Sequence, residues 1–307
     1  MRGSPSLRVA TAVAGLSFAT ALTLTACASG TGGDGTLTVV ASTNVWGSVA
    51  QAVAGDKVAV TSIVSEPSSD PHSFEATPSD AARLTDASLI VYNGGGYDQF
   101  VDDIIASGGS NQLTVNAFDL LATDTHEGDD RRNANEHVWF DADTVNATAR
   151  SIADKLGELD PSNADAYRTN ADNFHGQLEQ ISAATDAIAA AHPNAPVAQT
   201  EPIAHYLLRS ADVNDLTPTD FTSAIENGND PAPAAIAAMR QLLTDNEVKA
   251  LVYNVQTQDR VTQDARATAE SAGIPVVEVT ETLPEGLDYI RWQTNTADAL
   301  AAALQSN

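Results

Sequence analysis

Three short segments of the chain concentrate side chains able to bind a cation. The first is Asp70-Pro71-His72-Ser73-Phe74-Glu75. The second is Asn135-Glu136-His137-Val138-Trp139-Phe140-Asp141, and the third is Gln199-Thr200-Glu201-Pro202-Ile203-Ala204-His205-Tyr206-Leu207. Imidazole nitrogen and carboxylate oxygen are protein ligands for first-row divalent metals. Each segment falls where a strand is expected to end, and open α/β sheets bind ligands beyond the carboxyl ends of their strands. Two histidines with one or two carboxylates can hold zinc or manganese. Zinc binds more tightly in a fixed nitrogen–oxygen site by the Irving–Williams order, so selectivity has to come from geometry or supply.

The elements that must position these segments follow from the hydrophobic pattern. Leu37 to Ser42, Val58 to Val64 and Ala87 to Tyr92 read as buried strands. Helices are expected over Val45 to Ala54 and Ser79 to Thr85 between them, and strand–helix alternation implies a parallel sheet. A long helical region runs from about Thr144 to Ala191, broken at Asp160-Pro161-Ser162, with proline at a first-turn position. The alternation then resumes. Strands are expected over Ala195 to Gln199, Val248 to Tyr253 and Ile274 to Val279, and helices over Pro233 to Thr244, Val261 to Ala272 and Asp288 to Gln305. The expected fold is α/β: two lobes, each with a parallel sheet flanked by helices, joined by a long linking helix. With 307 residues, the chain exceeds one average domain. The N-terminal lobe is placed at 37–142, the helical region at 143–192 and the C-terminal lobe at 193–307. The polar stretch 123–136, which contains His126, Glu127, Asp129 and Asp130, reads as a solvated surface loop.

The first residues set the compartment. Arg2 and Arg8 flank an uncharged stretch, Val9 to Thr25, as in a secretory signal peptide. It closes on Leu24-Thr25-Ala26-Cys27, which resembles a bacterial lipobox. Residues 1–26 are therefore expected to be removed and Cys27 to carry a lipid, with residues 27–36 as a flexible tether. Cys27 is the one cysteine, so no internal disulfide can form. The expected location is the outer face of the cell membrane. Formal net charge is −26, and loss of Arg2 and Arg8 makes it −28. That excludes nucleic acid as a partner, because its binding needs a basic face; a negative surface concentrates cations.

Taken together and in order, the three segments resemble a known family, the zinc/manganese-binding solute-binding proteins of ABC importers. Its members carry D-P-H-x-[FY]-E, H-x-W-[FL]-D and [HE]-x-x-x-x-Y segments. The closing Pro275-Val276-Val277 and Leu283-Pro284-Glu285-Gly286 also look like the family. The resemblance implies that His72 and His137 are the first two metal ligands and that the third position falls on Glu201, with His205 at a non-ligand position. The fourth ligand falls in the loop Asn254 to Arg260, where Asp259 is the carboxylate in reach and Gln256 or a water is the alternative. It further implies Zn2+ or Mn2+ as transported ligand, an ABC permease as partner, a monomer and no enzymatic activity. Two competing readings are a secreted zinc-dependent hydrolase, with Glu75 or Glu136 as general base, and a metal-binding adhesin or chaperone of the same fold. No H-E-x-x-H helix and no G-x-S-x-G elbow support the hydrolase.

Overall fold

Parallel strands covered on both faces need near-continuous runs of apolar, β-branched residues. The chain supplies two sets of such runs, and in the computed structural model each set becomes one sheet. The structure describes residues 37–66, 71–108, 112–122 and 134–306. Cys27, the expected signal peptide and the tether to residue 36 lie outside the described residues, as do Asp70 and residues 123–133 of the polar stretch.

The first half runs β1 (Thr38–Thr43), α1 (Asn44–Ala54), β2 (Ala59–Val64), α2 (Pro78–Asp86), β3 (Leu89–Tyr92), α3 (Gln99–Gly108) and β4 (Leu113–Asn116). Two long helices follow, α4 (Ala142–Leu159) and α5 (Ala164–Ala191). The second half runs β5 (Ala195–Gln199), α6 (His205–Ser210), β6 (Val213–Asp215), α7 (Thr219–Glu226), α8 (Pro233–Thr244), β7 (Leu251–Asn254), α9 (Arg260–Ala272), β8 (Val276–Val279) and α10 (Tyr289–Gln305). The strand orders are β2-β1-β3-β4 and β6-β5-β7-β8, and every pairing is parallel. Each sheet reverses its winding direction at one point, between β1 and β3 and between β5 and β7. Such switch points leave a crevice at the carboxyl ends of the strands. Of these elements, α3, β4, β6, α6 and α7 go beyond the sequence expectation.

Apolar stripes hold the helices down. On α1, Val45, Trp46, Val49 and Val53 are fully buried against β1 and β2. Burying each such side chain is worth roughly 1.5–3 kcal/mol. The Trp46 indole also donates to Asn93 Oδ1 at 3.2 Å, so the helix is tied to the loop that follows β3. In that loop Gly94 sits at φ +75°, and a Cβ there would collide with the Asn116 side chain. The fully buried Asp98 accepts from Asn93 N–H at 2.7 Å and Gly94 N–H at 2.8 Å. Burial raises its pKa to about 6.

With 28 residues, α5 spans about 42 Å and packs on α4, α1 and α10, linking the two halves. The break before it has a local cause. Pro161 cannot continue a helix and disfavours helical backbone at Asp160. The Asp160 carboxylate then collects the Ser162 hydroxyl at 2.5 Å, the Asn163 amide at 2.6 Å and the Tyr167 hydroxyl at 2.9 Å. These bonds hold its pKa down at about 2. A depressed carboxylate pKa adds stability above the unfolded value near 3.8, and that stability is lost as pH falls towards 2. Asp160→Ala is expected to lower Tm at neutral pH, and the gap to wild type should close on acidification. A gap that stays constant with pH, read by thermal denaturation, would exclude this source of stability.

Candidate metal centre

Most side chains of the cluster are delivered by segments that follow a strand, and Glu226 by the end of α7. His72 lies between β2 and α2, after the buried Pro71. The start of α2 is fixed by a reciprocal cap: Asp80 N–H donates to Thr77 Oγ1 at 3.3 Å, and Thr77 N–H donates to Asp80 Oδ2 at 2.8 Å. His137 enters a short 3-10 turn, Val138–Phe140, whose Val138, Trp139 and Phe140 side chains are buried. Asp141 ends that turn and caps α4, accepting from Thr144 N–H at 3.1 Å. The H-x-W-F-D spacing thus puts one histidine at the pocket, two aromatics in the core and one carboxylate on a helix start. Around the imidazoles, Tyr97 stands edge-on to His72 at 4.7 Å and Trp139 edge-on to His137 at 5.1 Å between ring centroids.

The tautomer of His137 follows from its neighbours. The Asn135 amide nitrogen donates to the Pro202 carbonyl at 2.8 Å, and a carbonyl can only accept. Asn135 Oδ1 therefore faces His137 and accepts from its backbone N–H at 2.9 Å. The ring Nδ1, 3.0 Å from the same oxygen, must carry its proton there. The Nε2 lone pair is left pointing into the pocket, the arrangement typical of a metal-ligating histidine. Burial first, then the charges of His72 and His205, push the His137 pKa well below its ordinary value, so the ring is neutral.

Carboxylates close the other side. Glu281 follows β8, and its side chain is 2% exposed. The ligand atoms of His72, His137 and Glu281 lie within 4.8 Å of one another. A second group, within the same limit, consists of His72, Glu136 and Glu226. Glu226 ends α7, and its Oε1 is 3.5 Å from His137 Nε2 and 3.8 Å from His72 Nε2. Its pKa is pushed up to about 10, mainly by burial and then by the carboxylates of Glu136, Glu201 and Glu281. Carboxylates this close repel when ionised, and a cation among them relieves that repulsion.

Glu201, expected as the third donor, is buried beside this cluster. Asn254 bridges it to Glu281, donating to Glu201 Oε2 at 2.6 Å and to Glu281 Oε1 at 2.8 Å. The Thr257 hydroxyl also donates to Glu201. Asp259, expected as the fourth donor, is not brought into the pocket. Its carboxylate caps α9, accepting from Thr262 N–H at 2.7 Å, while the Thr262 hydroxyl takes its own N–H at 3.0 Å. Gln256, the alternative, fixes the Glu281 segment instead: it accepts from Glu281 N–H and donates to Thr282 Oγ1 at 3.0 Å. The carboxylate that stands with the two histidines is instead that of Glu281, one strand later. His205 starts α6, stacks edge-on against Tyr206 at 4.9 Å and stays outside both groups. Of the stretch read as a solvated loop, Asn135 and Glu136 are in fact held at the pocket. The Tyr206 hydroxyl donates to Asn135 O at 2.6 Å, and Asn93 Nδ2 donates to Glu136 O at 2.8 Å. Nothing in the local sequence marks Glu226, which only the path of α7 brings here.

Two parallel α/β sheets linked by one long helix, with a histidine–carboxylate pocket fed from both halves, define a substrate-binding protein for a metal cation. The chain belongs to the family of zinc-uptake complex component A, periplasmic (ZnuA), whose model matches residues 39–303. Members of this family are binding proteins of transport systems, not enzymes. The chain is 26% identical over 277 residues to the metal ABC transporter substrate-binding lipoprotein SloC of Streptococcus mutans, across 83% of this chain and 84% of that one. It is 29% identical over 177 residues to the manganese ABC transporter substrate-binding lipoprotein PsaA of Streptococcus pneumoniae, across 53% of this chain and 56% of that one. Among solved structures, the periplasmic zinc binding protein TroA from Treponema pallidum superposes with a TM-score of 0.76 at 17% identity. That match covers 88% of this chain and 99% of the other, and it is a likeness of fold.

The Asn135 contact makes a specific expectation. Partners that orient a ligating histidine are typically worth about 10–100-fold in metal affinity. Asn135→Ala should weaken binding by about tenfold or more with all the donors intact. Calorimetry on the folded variant checks this, and an unchanged affinity would mean that Asn135 does not orient His137.

Proposed function

We propose that this protein captures a divalent transition metal outside the cell and delivers it to the permease of an ABC importer. The observation that carries this reading is the approach of His72, His137 and Glu281 to within 4.8 Å of one another. Those three supply the ligands, and Glu201, tied to Glu281 through Asn254, supplies further carboxylate oxygen. Neutral His137 offers Nε2 without first losing a proton, which favours binding at neutral pH.

Carboxylates outnumber imidazoles around this centre. Oxygen donors suit the harder manganese ion, while zinc remains the tighter binder of a fixed nitrogen–oxygen set. Manganese is therefore the cargo favoured by the donor chemistry, with zinc as its competitor. The lipobox-like segment ending at Cys27 supports a lipid anchor at that residue, with residues 27–36 as tether and the protein, a monomer, at the outer face of the membrane. The naming of SloC and PsaA as lipoproteins supports the same arrangement. No helix among the described residues is long and apolar enough to cross a membrane.

Titration of metal-stripped protein with manganese and with zinc tests the reading. One site per chain is expected for each metal, and it should be lost in His72→Ala and in Glu281→Gln. Asp259→Ala should keep the site but lose about 1 kcal/mol of stability with its helix cap. If Asp259→Ala abolishes binding and Glu281→Gln does not, the ligand assignment is wrong. Manganese that fails to bind where zinc binds would overturn the manganese preference.

A further inference from the structure

We propose that the pocket contains a second, outer station for the cargo, formed by His72, Glu136 and Glu226 and sharing His72 with the inner set. This rests on the metal-binding reading above and adds a capture step to it.

The two groups differ in depth. His137 and Glu281 have side chains 2% exposed, whereas the shared His72 is 26% exposed and Glu226 is 15% exposed. Glu136 is likewise only half-buried. An ion arriving from solvent meets the outer group first, and His72 is the one ligand the two groups have in common. The outer group also spans the pocket: Glu136 immediately precedes His137 in the first half, and Glu226 is the last residue of α7 in the second. An ion there is held from both sides.

Glu226 has the features of a ligand. Its Oε1 atom is buried and accepts no hydrogen bond from any described residue. It faces the Nε2 atoms of both histidines at 3.5 and 3.8 Å. A cation lying between this oxygen and the two histidine nitrogens would satisfy all three. The fold of α7 does not depend on this side chain, because Phe221 and Ile225 anchor the helix in the core.

One imidazole nitrogen cannot bind two ions at once, so the stations are occupied in turn and the stoichiometry stays at one. Passage through weaker, adjacent sites lets an ion exchange water for protein oxygen stepwise rather than all at once. The outer station therefore sets the rate of capture.

The test is stopped-flow mixing of metal-stripped protein with manganese chloride and with zinc chloride, read by tryptophan emission, since Trp139 packs edge-on to His137. Salt of about 0.5 M shortens the Debye length to roughly 4 Å and suppresses general steering by charge. Under these conditions Glu136→Gln combined with Glu226→Gln should slow association by about tenfold while one ion still binds per chain. A control pair, Glu75→Gln with Asp103→Asn, makes the same two carboxyl-to-amide changes in the cavity beside His72 but leaves both stations intact. It should stay within about twofold of wild type. If the double variant does not fold, Glu136→Gln alone carries the comparison. Association as fast as wild type in the station variants, or equal slowing in the control, overturns the outer station and leaves the inner site standing. A wild-type chain that takes up neither metal overturns the function on which it rests.

Discussion

Imidazole nitrogens and carboxylate oxygens converge at the centre of this protein. Two imidazole nitrogens face the oxygens of Glu226 and Glu281, with Glu136 and Glu201 close behind. In a pocket largely screened from water such an arrangement is unfavourable without a positive charge. A divalent cation supplies that charge together with the empty orbitals the lone pairs need. The surrounding hydrogen bonds keep the donors aimed inward rather than letting them pair elsewhere. Asn135 takes the Nδ1 proton of His137, Asn254 takes one oxygen from each of Glu201 and Glu281, and Gln256 pins the backbone of Glu281.

That arrangement requires the two halves of the chain to hold a fixed relation, because each contributes part of the donor set. Polar contacts join them on several sides of the pocket. Asn44 at the start of α1 exchanges two bonds with Leu283, donating at 3.1 Å and accepting at 2.9 Å. The Tyr289 N–H donates to Ser48 Oγ at 3.0 Å, and its buried hydroxyl donates to Trp139 O at 2.6 Å. Arg209 reaches the carboxylate of Asp141 at 3.3 Å. The described residues form a single compact unit, with α5 packed along both halves.

Asp259 and Glu281 show how far local pattern carries. Both are acids just beyond a strand of the second half, and a linear reading has no means of ranking them. Asp259 stands three residues before Thr262 and directly ahead of a helix, and that setting turns its carboxylate towards the free N–H groups of the helix start. Glu281 stands beyond the last strand, where the parallel pairing of β7 with β8 sets its segment beside Asn254. Pairing between strands more than twenty residues apart decided which acid reached the two histidines.

The sequence by itself determined the α/β alternation and the long broken helix, and it marked the lipobox-like segment at Cys27 and the motifs that carry His72, His137 and Glu201. These are legible because they depend on short-range regularities: apolar runs, proline and capping residues, and motifs whose members lie within a few positions. The tertiary structure alone decided that Glu281 and not Asp259 lies beside the two histidines, that Glu136 belongs to the pocket and not to a solvated loop, and that Glu226 joins it. The physical reason is that a metal centre is defined by convergence in space. Glu226 and His137 are 89 positions apart in the chain and 3.5 Å apart in the fold, a relation set by sheet order and helix packing.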